Sequence, residues 1–355
     1  MKKIFRMGEL FCGAGGLASG AMMARSADGR FKIQHVWASD YDADACATYT
    51  KNICNGDSST VYCEDVRQLD LSKLGPIDGF SFGFPCNSFS TVGEHKGLEN
   101  EAFGQLYTYG IKVLQMYQPA WFIAENVTGI TSVGSGQHFK QILNDMENAG
   151  YCITPHLYRF ELYGIPQKRH RVIIVGIRKN LNRFGITFRV PSSAPYKNVD
   201  ITAGTALANI PAEAPNQNKK VLRDTVRLRL SYIRPGENIW QAKDLPFELM
   251  IKTNVKISSL YRKLSPNAPS YTITASGGGG TAMYHWSDEQ RELTNRERAR
   301  IQTFPDEFEF IGTYSSVRKQ IGMAVPPRGA KIIFDAVLNS FAGIEYPWVE
   351  ANMQE

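Results

Sequence analysis

The chain has 355 residues, 43% hydrophobic and 21% charged, with a net charge of +6. That composition excludes a largely disordered chain, and the length predicts about two domains. No run of about 18 apolar residues predicts a transmembrane helix, Met1-Lys2-Lys3-Ile4-Phe5-Arg6 lacks the apolar stretch of a secretion signal, and the six cysteines form no Cys-x-x-Cys pair, so a reducing compartment without a disulfide framework or zinc site is expected.

Strand and helix signals alternate over the first half. Phe5–Phe11 is predicted as a strand running into the glycine turn Cys12-Gly13-Ala14-Gly15-Gly16, followed by a helix over Leu17–Arg25. A second strand, Gln34–Ser39, ends at Asp40. Asp42–Ile53 reads as a helix with Ala43, Cys46, Ala47 and Tyr49 inward, and Val61–Cys63 precedes Asp65. Gly79–Gly83 is a strand that leads into Phe84-Pro85-Cys86. Gln105–Tyr117 is an amphipathic helix stopped before Pro119. Strand Trp121–Ala124 ends at Glu125-Asn126, His138–Ala149 is a helix closed by Gly150, and the β-branched run Arg171–Ile177 is a strand. This alternation predicts a parallel sheet with helices on both faces, and ligands at the carboxyl ends of its strands. After about residue 185, six prolines from Pro191 to Pro246 break the rhythm. Regular structure resumes with a helix over Leu293–Thr303, where Thr294 and Glu297 have capping-box spacing. A last helix, Gly329–Phe341, follows Pro326-Pro327.

The charge is uneven: residues 1–150 carry −4, residues 151–263 carry +13 (20 basic, 7 acidic) and residues 264–355 carry −3. A basic segment between acidic ones suggests a polyanionic partner; a solvated arginine-rich surface is the plain alternative.

Glycines between a strand and a helix let a ligand approach the backbone and meet free N–H groups. Asp40, 24 residues after Gly16, stands where a ribose-binding carboxylate belongs. Alone, this leaves a nicotinamide enzyme, a methyltransferase and a plain tight turn open. The commoner role of a lone Asp such as Asp65 is a cap. Cys86, on a loop past a buried strand, is a better nucleophile candidate than a core cysteine. Glu125 ends a neighbouring strand, and buried carboxylates are rare unless paired or functional. In Gly164-Ile165-Pro166-Gln167-Lys168-Arg169-His170-Arg171, alternation puts Gln167, Arg169 and Arg171 on one side, which suits a polar, anionic or nucleobase ligand.

Six stretches, in order, carry a resemblance to the bacterial DNA (cytosine-5)-methyltransferases. They are Leu10-Phe11-Cys12-Gly13-Ala14-Gly15-Gly16, Phe84-Pro85-Cys86-x-Ser88-Phe89-Ser90, Glu125-Asn126-Val127, Gln167-x-Arg169-x-Arg171, Arg291-x-Leu293-Thr294-x-Arg296-Glu297-x-Ala299-Arg300-x-Gln302-x-Phe304-Pro305, and Gln320-Ile321-Gly322-x-Ala324-Val325-Pro326-Pro327. Together they are highly specific, and the nicotinamide reading falls away. The resemblance implies an α/β, Rossmann-like, S-adenosylmethionine-dependent methyltransferase fold. Its implied parts are a catalytic, cofactor-binding domain over 1–185, a smaller irregular, mainly β target-recognition domain and hinge over 186–315, and a C-terminal segment, 316–355, that returns to the catalytic domain.

The resemblance also implies S-adenosylmethionine as donor, S-adenosylhomocysteine as product, and no metal. Phe11 would stack on the cofactor over Gly13, Gly15 and Gly16. Asp40 would hold the ribose and Asp65 the adenine amine, with Tyr41, Val66, Pro85, Leu106, Met323 and Val325 completing the pocket. Cys86 would add to C6 of a flipped-out cytosine, and Glu125 would hydrogen-bond at N3 and the exocyclic amine. Arg171 would steady the base or adduct, and Arg169 would support Glu125 or a phosphate, with Gln167 in the same motif. Ser88 and Thr272 would contact DNA, and base readers or phosphate contacts are expected among Arg223, Arg227, Arg229, Arg234, Asn238 and Gln241. The implied setting is a monomer acting on double-stranded DNA in the cytoplasm, at the nucleoid and away from membrane, as the modification half of a restriction system whose endonuclease acts independently.

Three positions depart from the family pattern: Glu9 replaces Asp, Asn87 replaces Gln, and Met323 replaces Asn. The last two predict either neutral compensation or an altered cavity at the cofactor's methyl end. Two other readings compete. RNA methylation belongs to a branch with Pro-Pro-Cys and Cys-Phe-Thr motifs, both absent here. A non-catalytic DNA-binding protein is opposed by intact Cys86, Glu125, Arg169 and Arg171.

Overall fold

In the computed structural model, residues 3–85, 106–132, 136–252 and 257–353 are described. Cys86, Asn87 and Ser88 lie outside them. The chain separates into two compact units: Met1–Phe160, His170–Pro195 and Val325–Glu355 in one, Glu161–Arg169 and Tyr196–Ala324 in the other. The divisions therefore fall at 195/196 and 324/325, against the sequence-based 185/186 and 315/316, and a nine-residue piece ahead of His170 joins the second unit.

The first unit holds strands β1 (Lys3–Leu10), β2 (Phe31–Asp40), β3 (Val61–Cys63), β4 (Gly79–Phe82), β5 (Trp121–Val127) and β6 (Tyr151–Arg159). The two-residue β7 (Gln167–Lys168) lies in the second unit, and β8 (His170–Arg178) returns to the first. Seven strands form one sheet in the order β3-β2-β1-β4-β5-β8-β6. β1 to β5 pair in parallel, but β8 runs antiparallel to both β5 and β6. The wholly parallel sheet is corrected at that strand. Residues 160–169 link β6 to β8 without a crossover helix, and parallel neighbours need a longer connection, so the chain turns back on itself.

Helices α1 (Gly16–Met23), α2 (Ala43–Ile53), α3 (Tyr107–Tyr117) and α4 (Gln137–Asn148) alternate with these strands. The short α5 (Lys179–Asn182) follows β8. In the second unit lie α6 (Ala203–Leu207), α7 (Asp224–Ser231), α8 (Asn295–Ile301) and α9 (Tyr314–Met323). The capping box predicted at Thr294 and Glu297 is formed at the start of α8. Finally α10 (Pro327–Ala342) rejoins the first unit and packs on α1, with Gly20 so close to Ala330 that a Cβ would lie 2.5 Å away. Two short strands, β9 (Val190–Pro191) and β11 (Trp348–Val349), pair antiparallel in the first unit.

The second unit is irregular, as expected, but not mainly β. Among its described residues the regular strands are β7 and β10 (Ser270–Tyr271), paired in parallel, with isolated bridges at Lys263–Tyr284 and Tyr284–Glu292. Proline punctuation prevents long ladders, and short helices and turns carry the chain instead. Its apolar cluster joins Leu230, Ile233, Ile239, Tyr261, Ala282 and Tyr284. Among the described residues no helix is long and apolar enough to cross a membrane.

The sheet core uses glycines as slots for aromatic rings. A Cβ on Gly8 would lie 2.3 Å from Trp37, on Gly79 2.1 Å from Trp121, and on Gly176 2.0 Å from Phe122. Dense interiors do not absorb an extra methyl at that distance without shifting the ring. Gly176→Ala is therefore expected to destabilise the fold by about 1–3 kcal/mol, read as a lower urea midpoint. Gly75→Ala, where a Cβ meets no described atom within 4 Å, is expected to leave the midpoint in place.

Candidate active site

The strand order reverses direction between β1 and β4, and a crevice forms at the carboxyl ends of strands around such a switch point. The residues after β1 build a tight turn there. Phe11, Gly13 and Gly15 have φ of 55°, 53° and 87°, the left-handed region that glycine enters without strain. At Gly13 a Cβ would meet no described atom within 4 Å, so the backbone borders open space. At Gly15 a Cβ would press on Tyr49 and Ile53 at 3.0 Å. Gly15 is also the N-cap of α1, which leaves the helix's first N–H groups directed at the turn.

Asp40, at the end of β2, belongs to this turn. One carboxylate oxygen accepts the Gly13 N–H at 2.8 Å and the other the Asp42 N–H at 3.0 Å. Burial raises its pKa, while these amide bonds favour the charged form. Phe11 packs against the cluster that contains Val66 and Leu106. The structure thus brings together Phe11, Gly13, Gly15, Gly16 and Asp40, and places Val66 and Leu106 in the core cluster against which Phe11 packs. Tyr41 is exposed beside them, and Pro85 is half-buried at the end of the described β4 loop. Asp65 has local partners: it accepts the Arg67 N–H at 2.9 Å, and its carboxylate pairs with the Arg67 guanidinium at 2.5 Å. That guanidinium holds the carboxyl below its usual range, so a ligand amine would compete with Arg67. Val325 is buried in the first unit, whereas Met323 is 59% exposed in the second.

A second group stands at the ends of β5 and β8. Glu125 Oε1 lies 2.8 Å from Arg171 Nε, with both side chains 13% exposed. The antiparallel register pairs Val127 with Arg171 and Glu125 with Ile173, which sets the two side chains within reach. A Cβ on Gly83 would stand 3.4 Å from Glu125 Oε2, so glycine keeps this loop clear of the carboxylate. Asn126 Nδ2 donates to the Phe84 carbonyl at 2.9 Å and fastens the loop two residues before Cys86. Sequence reasoning assigned Asn126 no role; its place beside a strand-end acid was the available signal.

Gln167, Arg169 and Arg171 do not form one strand face. β7 ends at Lys168 and β8 begins at His170, so the alternation breaks at Arg169. Gln167 is fully buried; its amide donates to the Gln302 side chain and accepts the Ile273 N–H at 2.8 Å. Arg169, also fully buried, donates to the carbonyls of Ile273, Gly322 and Ala324 at 3.0, 2.9 and 2.8 Å. Both therefore knit the second unit's own backbone, a correction to the catalytic roles expected of them.

The DNA-reading set also divides. Arg229 donates to the Leu249 carbonyl and the Tyr261 hydroxyl, and lies over the Tyr261 ring, so it braces the fold. Asn238 and Gln241 form a capping box on a short helical turn. Thr272 spends its hydroxyl proton on the Lys168 carbonyl, leaving no proton there for a phosphate. Arg223, Arg227 and Arg234 are exposed.

A family model for C-5 cytosine-specific DNA methylases matches residues 5–339. The chain belongs to this family. It is 52% identical to the type II methyltransferase M.BbvI of Brevibacillus brevis over 98% of this chain and 94% of the relative, and 38% identical to M.NgoFVII of Neisseria gonorrhoeae over 94% and 86%. Its fold is similar to that of a candidate DNA modification methyltransferase encoded within an E. coli prophage, with a TM-score of 0.71 at 23% identity over 95% of this chain and 99% of that one. The chain is a DNA (cytosine-5-)-methyltransferase with an α/β, Rossmann-like fold.

One buried chain of polar groups in this methylase escaped sequence reasoning, although Glu9 is conspicuous in an otherwise apolar strand end. Tyr49 donates to Glu9 Oε2 at 3.0 Å, and His35 bridges the Tyr49 hydroxyl and the Thr60 hydroxyl at 3.2 and 2.9 Å. Burial raises the Glu9 pKa from 4.5 to about 8 and lowers that of His35 from 6.5 to about 4. A raised carboxyl contributes fully below about pH 4.5 and loses that contribution as pH climbs to about 8. The lowered His35 acts on the acid side, losing stability as pH falls from 6.5 to about 4. Below pH 6.5 the two contributions oppose each other, so wild-type stability is expected to drop between pH 6.5 and 8, and Glu9→Gln to flatten that drop; parallel urea curves for the two proteins would contradict this account.

Proposed function

We propose that this chain transfers a methyl group from S-adenosylmethionine to C5 of a cytosine flipped out of a specific double-stranded DNA sequence, through an adduct between Cys86 and C6. The observation that carries the reading is the Glu125–Arg171 pair at the ends of β5 and β8, beside a loop that Asn126 anchors just ahead of Cys86.

The Cys86 thiolate adds to C6, and C5 gains the electron density of an enamine. Glu125 hydrogen-bonds at N3 and the exocyclic amine, with a proton where negative charge builds up. Arg171 fixes the orientation of Glu125 and steadies the base. S-adenosylmethionine, when bound, supplies the electrophilic sulfonium methyl that C5 takes. Loss of the C5 proton then expels the Cys86 thiolate. The turn after β1 fits this donor: open space stands where a Gly13 side chain would be, and the Asp40 carboxylate is already directed there for the ribose. Phe11, Val66 and Leu106 offer an apolar wall for the adenine, and Asp65 is available to its amine once Arg67 yields.

In the second unit, exposed Arg223, Arg227 and Arg234 are among the groups available to phosphates or base edges. We read the protein as a monomer in the cytoplasm, bound at the nucleoid, and as the modification half of a restriction system with a separate endonuclease. The type II names of its relatives support the restriction-system part of this reading.

Duplex DNA containing 5-fluorocytosine tests the mechanism, since its C5 substituent cannot leave. A covalent complex is expected with the wild type and none with Cys86→Ser; no complex with either would overturn the reading. Glu125→Gln is expected to lower kcat by about 10²–10⁴-fold in a tritiated-methyl assay. Bisulfite mapping in expressing cells would give the target sequence. For DNA affinity, Arg227→Ala is expected to weaken binding and reduce the salt slope by about one if it meets a phosphate; an unchanged slope with relaxed sequence preference would make it a base reader.

A further inference from the structure

Two cysteines flank the carboxylates of the proposed cofactor site. Cys46, on the inner side of α2, is buried, and its thiol donates to the Asp40 backbone carbonyl at 3.3 Å. Cys63 ends β3, is exposed, and is the register partner of Asp40 across the β2–β3 pair. Both cysteines therefore stand against Asp40, the Cys63 thiol is a near neighbour that acts on the Cys46 thiol, and neither takes part in a disulfide. Asp65 follows Cys63 by two residues. The chemistry proposed above uses neither thiol. Burial pushes the Cys46 thiol up, which makes it the weaker nucleophile, while Cys63 meets solvent and its solutes first.

We propose that Cys46 and Cys63 are an oxidation site, forming a reversible disulfide that weakens binding of the methyl donor. The proposal rests on reading Asp40 and Asp65 as the donor's carboxylate contacts. The oxidant is a peroxide. The Cys63 thiolate attacks one peroxide oxygen; an S–O bond forms, the O–O bond breaks, and with hydrogen peroxide water leaves and Cys63 becomes a sulfenic acid. Cys46 Sγ then attacks the Cys63 sulfur, gives up its proton, and expels the hydroxyl group as a second water. Two thiols lose two electrons to one peroxide. Small-molecule thiols reverse the bond by exchange, so a reducing compartment keeps the dithiol form at rest.

The consequence follows from where the sulfurs sit. Oxidation removes the S–H that donates to the Asp40 carbonyl. An S–S bond of about 2.05 Å also draws the end of β3 toward α2, and Asp65 with it. Both carboxylates are disturbed, and Cys86 is untouched.

The test uses the full chain carrying Cys86→Ala, so that oxidation of the proposed nucleophile cannot contribute. S-adenosylmethionine affinity is measured by calorimetry in the reduced protein, after hydrogen peroxide, and after dithiothreitol; non-reducing peptide mapping follows the sulfurs. The expected result is a Cys46–Cys63-linked peptide, an affinity about fivefold weaker, and recovery on reduction. Cys63→Ser and, as a second variant, Cys46→Ser are expected to abolish both the link and the loss. A linked peptide with unchanged affinity, no linked peptide, or a loss that persists in Cys63→Ser would overturn the proposal. A reduced protein that does not bind S-adenosylmethionine at all would instead overturn the reading of the cofactor site, and this inference with it.

Discussion

The hydrogen bond from the Gly13 N–H to the Asp40 carboxylate joins the turn after β1 to the end of β2. It depends on left-handed backbone at Gly13 and Gly15, which glycine supplies without strain, and at Phe11, which has a side chain and no such freedom. With this bond in place, the turn, the start of α1 and a strand-end carboxylate face one crevice. A longer side chain at Gly13 would fill the same space.

The rest of the first unit can be understood as support for that crevice. Glycines at positions 8, 79 and 176 let the Trp37, Trp121 and Phe122 rings pack directly onto the backbone of neighbouring strands, which ties together the strands that lead to Phe11, Pro85 and Glu125. Beneath the turn, Glu9, Tyr49, His35 and Thr60 satisfy one another in the interior. A buried carboxyl kept largely protonated at neutral pH avoids setting a second negative charge close to Asp40. That is a physical reason for a polar residue to survive in β1.

Local features of this architecture were legible in the sequence. The glycine turn, Asp40, Glu125 and the capping box at Thr294 each announce themselves within a few residues, because turn chemistry and strand ends are short-range. β6 was not legible: Pro155 and His156 interrupt its alternation, which an edge strand tolerates. The reversed direction of β8 follows from a connection length, not from its own composition. Gln167 and Arg169 show the other limit. Their partners Gln302, Ile273 and Gly322 stand 135, 104 and 153 residues away, and no local pattern tells a buried clamp from a ligand contact when both use amides and guanidinium groups.

The same point changes the meaning of the basic segment. A net charge counts every arginine, but a guanidinium has five donors and is as well suited to gathering backbone carbonyls as to meeting phosphates. Within residues 151–263, Arg169 and Lys263 are buried, Arg171 is paired with Glu125, and Arg229 is held by Leu249 and Tyr261. Beyond it, fully buried Arg296 collects the carbonyls of Pro215, Pro305 and Phe308. An irregular unit with few ladders leaves many carbonyls without strand partners, and buried arginines supply what the missing strands would have supplied. The basic charge left free at the surface is therefore smaller than the sequence charge implies, and Arg223, Arg227 and Arg234 are among the groups that stay exposed.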